Sequence, residues 1–402
     1  MILICGAGIT GLTIAKELIN SGIKDIVIFD KEPDLGKHAS GRNSGVLHAG
    51  IYYTPETLKA RFCLKGNQLM KQYCKERGLT LFESGKVIVT KKEEELPVLY
   101  ELYKRAKQNG AEVELVDSKT LKEIEPYAKT YEKALYSPLT AIINPKEILI
   151  SLENELKDAG IKILKGVSFK KVFNSNTIET SQGKFKFEFF INSAGAYADK
   201  IAHSFGLGLN YRILPFKGLY KKLRKEKSFL VKGNIYPVPD IRNPFLGVHF
   251  TKIYDGTVYV GPTATPALGR ENYKMFDNLG LESLQILWRD FLLFMSNDKF
   301  RNNAFSEIRK YSAKNFYDDI KDMLENITID DLLPSSKVGI RPQLIDIKKK
   351  ELVMDFVVLK ESKTIHILNA ISPAFTSAFA FAEFVVKEFF MEKGNDKLGS
   401  GA

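Results

Sequence analysis

Apolar residues fall into short unbroken runs and helical stripes, and the two patterns alternate through the first thirty residues. Ile2-Leu-Ile-Cys5 is an apolar run, the mark of a strand buried on both faces. Leu12, Ala15, Leu18 and Ile19 then recur at helical spacing, and Gly22 is placed to end the helix. Ile26-Val-Ile-Phe-Asp30 is a second buried run, closed by a carboxylate. A helical stretch is predicted from about Pro55 to Arg77. The strand and helix signals resume at Pro145, with Ile148, Leu149, Leu152 and Leu156 on one face, Gly160 as the stop and Ile161–Leu164 as a strand. Short alternating runs reach Phe187, and Phe189-Phe-Ile-Asn-Ser-Ala-Gly-Ala196 reads as a buried strand entering a small-residue turn and a new helix. Later, Ser283–Met295 and Asp318–Asn326 read as helices, and Thr257–Gly261 and Thr364–Leu368 as strands. A helix is expected to follow from Ser372, with Ser as cap and Pro in the first turn, to about Met391.

Between the first strand and its helix stands Gly6-Ala-Gly8-Ile-Thr-Gly11, which fits G-x-G-x-x-G in the strand–helix–strand setting that motif requires. Gly6 allows the tight turn, Gly8 lets a pyrophosphate approach the backbone, and Gly11 lets the helix pack closely on the strand. The helix N-terminus, with Ile9 and Thr10 in its first turn, offers free N–H groups to phosphates. Asp30, 19 positions after Gly11, can hold the adenosine ribose hydroxyls, and a carboxylate there disfavours a 2′-phosphate. The stretch is read as a dinucleotide site.

Composition narrows the class. The 402 residues suit two domains, and 44% apolar with 27% charged residues is the balance of a soluble globular protein. The 59 basic and 48 acidic residues leave +11, but the lysines are spread among acids and no aromatic–basic recognition motif is visible. No nucleic-acid partner is therefore expected. The densest cluster, Lys221–Lys227, reads as a solvated turn, with peripheral contact to an anionic membrane surface as the alternative. Cys5, Cys63 and Cys74 form no CxxC pair, which argues against a disulfide framework and a structural zinc site; no metal is expected. Without a leader pattern, and with Ser, Thr, Pro and Glu383 interrupting the apolar Ala370–Val386 segment, the chain reads as cytoplasmic. Residues 396–402 resemble an appended tail.

Further blocks carry a family resemblance. They are Arg42-Asn-Ser-Gly-Val-Leu-His48-Ala-Gly-Ile-Tyr-Tyr53, Ala60-Arg-Phe-Cys63 with Gly66, Asn192–Ala196 with Asp199, and Pro244–Phe250 with His249. Val260-Gly-Pro262 with Arg270-Glu271, Gly339-Ile-Arg341-Pro-Gln343 and Asn369–Ala374 follow in order. With them the chain resembles the FAD-dependent D-amino-acid oxidase superfamily, and within it the L-2-hydroxyglutarate dehydrogenases (oxidases). The resemblance implies an α/β fold: a discontinuous Rossmann-type FAD-binding domain (1–81, 145–212 and 335–395) with an antiparallel-sheet α+β substrate domain (82–144 and 213–334). It implies noncovalent FAD. Attachment through a C-terminal cysteine is excluded because no cysteine follows Cys74. It also implies oxidation of L-2-hydroxyglutarate, a small 2-hydroxy acid, to 2-oxoglutarate by hydride transfer to flavin N5, with electrons passed to a quinone or oxygen. Glycerol 3-phosphate and amino acids are the alternative substrates.

Under that resemblance, Lys31, Arg42, Asn43, Ser44, Val46, Val167, Ala194, Gly195, Ala196 and Arg341 are expected along the cofactor. Pro373, Ala374, Phe375 and Thr376 belong to a helix start whose positive end addresses the flavin pyrimidine. Oxidising an alcohol needs a base for the hydroxyl proton, and histidine suits that task near neutral pH. His48 is the first candidate and His249, between apolar residues on a predicted strand, the second. His38, His203 and His366 are read as structural or solvated. Arg270 and Arg341 are candidate carboxylate clamps, with Tyr52, Tyr53 and Lys217 as further substrate contacts.

Overall fold

The apolar runs Ile2–Cys5, Ile26–Asp30 and Phe189–Asn192 become neighbouring parallel strands, with Ile4 opposite both Ile28 and Ile191. Lys162–Lys165 and Thr364–Ile367 extend this sheet on either side, and Val358–Glu361 adds an antiparallel edge. The computed structural model describes residues 1–240, 246–274, 277 and 279–391. Pro244, Phe245 and the expected tail at 396–402 lie outside the described residues.

Period-two alternation splits the sheet's side chains between two cores. Ile4, Ile28 and Ile191 pack with Leu12, Leu152 and Phe381 from the helices Ile9–Asn20, Pro145–Asp158 and Ala374–Val386. Leu3, Phe29 and Phe190 pack on the other face with Val167, Ile178 and Phe187, under the three-stranded meander from Phe169 to Lys186. The helix Leu58–Glu76 lies along the terminal helix Ala374–Val386; a Cβ on Gly66 would stand 2.4 Å from the Thr376 carbonyl oxygen, so only glycine permits this approach.

The second large sheet is built on two long strands, Tyr211–Leu223 and Leu332–Asp346, paired antiparallel with Phe216 opposite Arg341. Val258–Gly261, His249–Lys252, Asn234–Pro237, Lys86–Val89, Lys133–Ser137 and Glu114–Asp117 continue it, antiparallel except where Asn234–Pro237 meets Lys86–Val89. Positions 212 and 335, expected as domain boundaries, fall inside the two long strands.

The helix expected at Asp318–Asn326 is corrected. The helix is Ala313–Asp318, and the following residues form turns, with Leu324 in an isolated antiparallel bridge to Ala128. Ile320, Met323 and Leu324 fall at helical spacing, and all three are buried. Their backbone is tied elsewhere: the Lys129 N–H donates to the Met323 carbonyl at 2.9 Å and the Glu325 N–H to that of Tyr127 at 2.8 Å. The expected helix at Ser283–Met295 is present as Leu281–Ser296, followed by an unanticipated partner, Asp298–Arg309.

Candidate active site

At the first turn Gly6 has φ +106°, the left-handed region open to glycine, and a Cβ there would stand 2.5 Å from the Ser193 carbonyl oxygen. A Cβ on Gly11 would stand 2.0 Å from the Gly6 carbonyl oxygen, so helix and strand touch through bare backbone. The first helix begins at Gly8 with no side-chain cap, though Ser40 Oγ accepts from the Ile9 N–H at 3.0 Å. The Asp30 carboxylate is anchored by the N–H groups of Ala7 and Glu32, both at 2.8 Å. From this turn a cavity of about 890 Å³ runs to the N-terminus of the terminal helix, lined there by Pro373 to Thr376. Serine capping of that helix is corrected: it starts at Pro373 with no side-chain hydrogen bond. Two helix N-termini, the first with one N–H taken by Ser40, thus face one elongated cavity with the Asp30 carboxylate at one end. That donor set fits FAD: Gly6 to Thr10 and Asp30 would hold the ADP half, and Arg42–Val46 with Pro373–Thr376 the ring half.

At the ring end the wall is made of imidazoles, phenols and buried cations. The His48 backbone is fixed on three sides: its N–H donates to Thr376 Oγ1 at 3.2 Å, and its carbonyl accepts from Asn67 Nδ2 at 3.1 Å and Cys63 Sγ at 3.5 Å. Its Nδ1 is buried with no hydrogen-bond partner among the described residues. His249 stacks on Tyr236 with ring centroids 3.7 Å apart, and its Nδ1 pairs with the Gly247 carbonyl at 2.8 Å. A carbonyl only accepts, so Nδ1 carries the hydrogen and Nε2 keeps its lone pair. Burial above all, with Lys86 nearby, pulls both imidazoles down to about 3, so both are neutral at physiological pH. Arg341, drawn down by burial to about 10, stays cationic.

Three lining or supporting residues were not anticipated. Lys59, on the first turn of its helix, lies 5.9 Å from the Tyr53 ring centre, and burial with Arg341 beside it pulls its ammonium down to about 7. Lys86 is 1% exposed, stands 4.6 Å from the Tyr52 ring centre and 5.0 Å from that of Tyr236, and its Nζ has no hydrogen-bond partner among the described residues. Burial pulls it to about 7 as well. Tyr236 itself is the third. A lysine opening the apolar run Lys86-Val-Ile-Val89 was the one available signal; the other two sit among ordinary helix and strand neighbours.

Of the residues expected at the site, all line the cavity except Gly11, which acts through packing. Three of the expected roles change. Arg270 is no free carboxylate clamp: it is 4% exposed and bonded to Asp199 at 2.5 and 3.0 Å, to Glu282 at 2.7 Å and to the Ala196 carbonyl. Lys217 reaches the wall, but its ammonium donates to Asn272 Oδ1 at 2.8 Å and the Lys274 carbonyl at 3.0 Å. Asn43 spends its amide on the Ala39 and Ser40 carbonyls and its oxygen on the Gly45 N–H, so it organises its own loop. Lys31 bonds to Glu32 and Glu271, and His38 joins the network through Glu32 and Tyr273, each at 2.8 Å. Glu32, His38 and Glu271 come within metal-ligand reach of one another, and the Lys31 ammonium bonds to both carboxylates. His203 bonds to the Gly208 and Tyr211 carbonyls and His366 to Asn192, the structural roles expected of them.

Comparison with known proteins agrees with this geometry. The family model described as FAD dependent oxidoreductase (DAO) matches residues 1–388. The chain is 35% identical over 409 residues to the mitochondrial L-2-hydroxyglutarate dehydrogenase of Homo sapiens, covering 96% of this chain and 88% of that one. It is 35% identical over 401 residues to the L-2-hydroxyglutarate dehydrogenase of Indibacter alkaliphilus, covering 96% and 99%. Among solved structures, L-alpha-glycerophosphate oxidase from Mycoplasma pneumoniae with FAD bound superposes with a TM-score of 0.74 at 21% identity, covering 96% of this chain and 93% of that one. Glycine oxidase from Geobacillus kaustophilus gives 0.71 at 17% identity, covering 99% of each chain, and these two similarities speak to the fold. The chain belongs to the DAO family of FAD-dependent oxidoreductases.

Proposed function

We propose that this enzyme oxidises L-2-hydroxyglutarate to 2-oxoglutarate. The observation that carries the reading is the convergence of two neutral imidazoles with half-buried Arg341 and buried Lys59 on one cavity, whose far end is the dinucleotide turn. The naming of its relatives as L-2-hydroxyglutarate dehydrogenases supports the substrate.

A diacid needs two cationic contacts. The planar guanidinium of Arg341 suits bidentate binding of one carboxylate, and the Lys59 ammonium supplies the charge for the other. Tyr52 and Tyr53 close the wall beside them. His48 takes the hydroxyl proton: burial keeps it neutral, and the clamp of Thr376 and Asn67 fixes its backbone beside the terminal helix. His249, with Nε2 unprotonated, shares the hydroxyl hydrogen, the diacid's one donor, in the bound substrate and so orients it for transfer to His48. Bound FAD supplies the acceptor for the hydrogen and electron pair that leave the hydroxyl-bearing carbon. Electrons pass onward to a quinone or to oxygen.

The test is anaerobic titration of the yellow protein. L-2-hydroxyglutarate is expected to bleach the flavin absorbance, and D-2-hydroxyglutarate, glycerol 3-phosphate and amino acids to leave it. Bleaching by one of the latter with no response to L-2-hydroxyglutarate would overturn the substrate assignment.

A further inference from the structure

The helix Leu281–Ser296 is apolar on both sides. Ile286 and Leu293 point into the core against Leu214, Phe216 and Ile345. On the outer side Leu284, Leu287, Trp288, Phe291, Leu292 and Met295 are exposed, at spacings of three, one, three, one and three residues. That is an unbroken helical stripe facing water. Trp288 is 60% and Met295 62% exposed, and Phe305 and Ile308 of the next helix, Asp298–Arg309, add 61% and 60% beside it. A soluble surface scatters such residues singly; a contiguous patch of this size marks an interaction face.

The charges around the stripe say what covers it. Asn297, at the end of the first of these helices, donates to the Lys350 carbonyl at 3.2 Å, so the turn Lys348-Lys349-Lys350, exposed throughout, stands beside the patch. Acidic groups on the two helices are tied down: Glu282 with Arg270 and Lys200, Asp298 with Arg301, and Glu307 with Lys310 and the Ala264 N–H. The carboxylate oxygens of Asp290 are buried. An apolar stripe rimmed by a lysine turn matches the two layers of an anionic bilayer, acyl chains and headgroups. A two-fold pairing of copies through this face would set lysine turns against a shared rim, which disfavours a second copy.

We propose that the helices Leu281–Ser296 and Asp298–Arg309, with Lys348–Lys350, dock this enzyme on an anionic membrane surface, the stripe lying in the interface without spanning it. Glu307 of the second helix also lines the cofactor cavity, so the docked face adjoins the site and gives a lipid-soluble electron acceptor a short approach.

Trp288 is the only tryptophan in the chain, so its fluorescence reports on this face alone. The full-length flavoprotein is mixed with phosphatidylcholine vesicles with or without phosphatidylglycerol, and sedimented. Binding to the anionic vesicles, a shift of emission to shorter wavelength and quenching by lipids brominated on the acyl chain are expected. The double variant Leu284→Ser, Phe291→Ser should lower the bound fraction about tenfold or more. Exchanging Lys348, Lys349 and Lys350 for Gln should lower it about fivefold per lysine, on anionic vesicles only. Both variants should keep flavin absorbance and its bleaching by substrate, which shows that they fold. Failure to sediment with anionic vesicles, or binding that leaves Trp288 emission unmoved, overturns the proposal. So does self-association of the wild type that the double variant abolishes.

Discussion

The backbone N–H of His48 donates to the hydroxyl of Thr376 at 3.2 Å, across 328 positions of sequence. Thr376 Oγ1 also reaches the Val46 carbonyl at 3.4 Å, so one hydroxyl ties the histidine segment to the helix start that faces the ring end of the cavity. Thr376→Val keeps the shape and removes this tie. We expect the rate of flavin reduction to fall about tenfold, with substrate affinity changed far less, because the base is displaced while the carboxylate contacts stay. Stopped-flow reduction separates the two, and an unchanged limiting rate would remove Thr376 from the positioning of His48.

His48→Ala should retain flavin and slow its reduction by about 10²–10⁴-fold, the usual contribution of a general base. His249→Ala should act chiefly on substrate binding. Because both imidazoles sit near 3, reduction should show no acid limb near the ordinary histidine value of about 6.5. A limb at that position, or a slower His249 variant than His48 variant, would exchange or cancel these roles.

Lys59 binds a carboxylate in its charged form. Burial first, and Arg341 second, lower it to about 7, so in the free enzyme the charge is complete below that value and is lost as pH rises through it. The KM for the diacid should therefore rise on the alkaline side. Lys59→Met should raise KM at neutral pH and flatten this dependence while leaving flavin content intact. A KM profile that the substitution leaves untouched would exclude the contact.

Lys86 is a buried ammonium lowered by burial to about 7, below its unfolded value near 10.5. Between these values the unfolded chain binds more protons, so this lysine makes stability rise with pH from about 7 to 10.5, with little slope from it below 7. Lys86→Met removes an unpaired buried donor and should stabilise the protein by about 1–3 kcal/mol at neutral pH, and reduce that slope. Flavin reduction should slow in the same variant, since the charge stands beside both imidazoles. Thermal melts across pH, read with the reduction rate, decide the matter; a destabilised variant would mean that Nζ has a partner in solution.

Gly66→Ala would place a methyl group 2.4 Å from the Thr376 carbonyl oxygen and 2.7 Å from Ser377 Cα, both backbone atoms that cannot yield alone. The terminal helix must move, at a cost of about 1–3 kcal/mol in stability and with weaker FAD binding. Titration of apoprotein with FAD beside a thermal melt tests both, and a variant equal to wild type in each would show that the helix contact tolerates the shift.

Local physics made the dinucleotide half legible. Gly6, Gly8 and Gly11 between a buried strand and an amphipathic helix, followed by a carboxylate at Asp30, are constraints within thirty residues, and one backbone conformation satisfies them all. The identity of His48 and His249 as histidines in apolar, glycine-rich settings was equally visible. Whether an arginine is free or spent was not. Arg270 and Arg341 look alike in sequence and both line the cavity, yet Asp199 and Glu282 hold the guanidinium of the first in ion pairs. Nor could hydrophobic spacing tell the outer stripe of Leu281–Ser296 from its inner one, or show that Ile320, Met323 and Leu324 are buried outside a helix. The chain by itself determined which residues can supply each chemistry. Only the tertiary structure decided which of them remain available, because ion pairing, burial and close backbone approach depend on partners tens to hundreds of positions away.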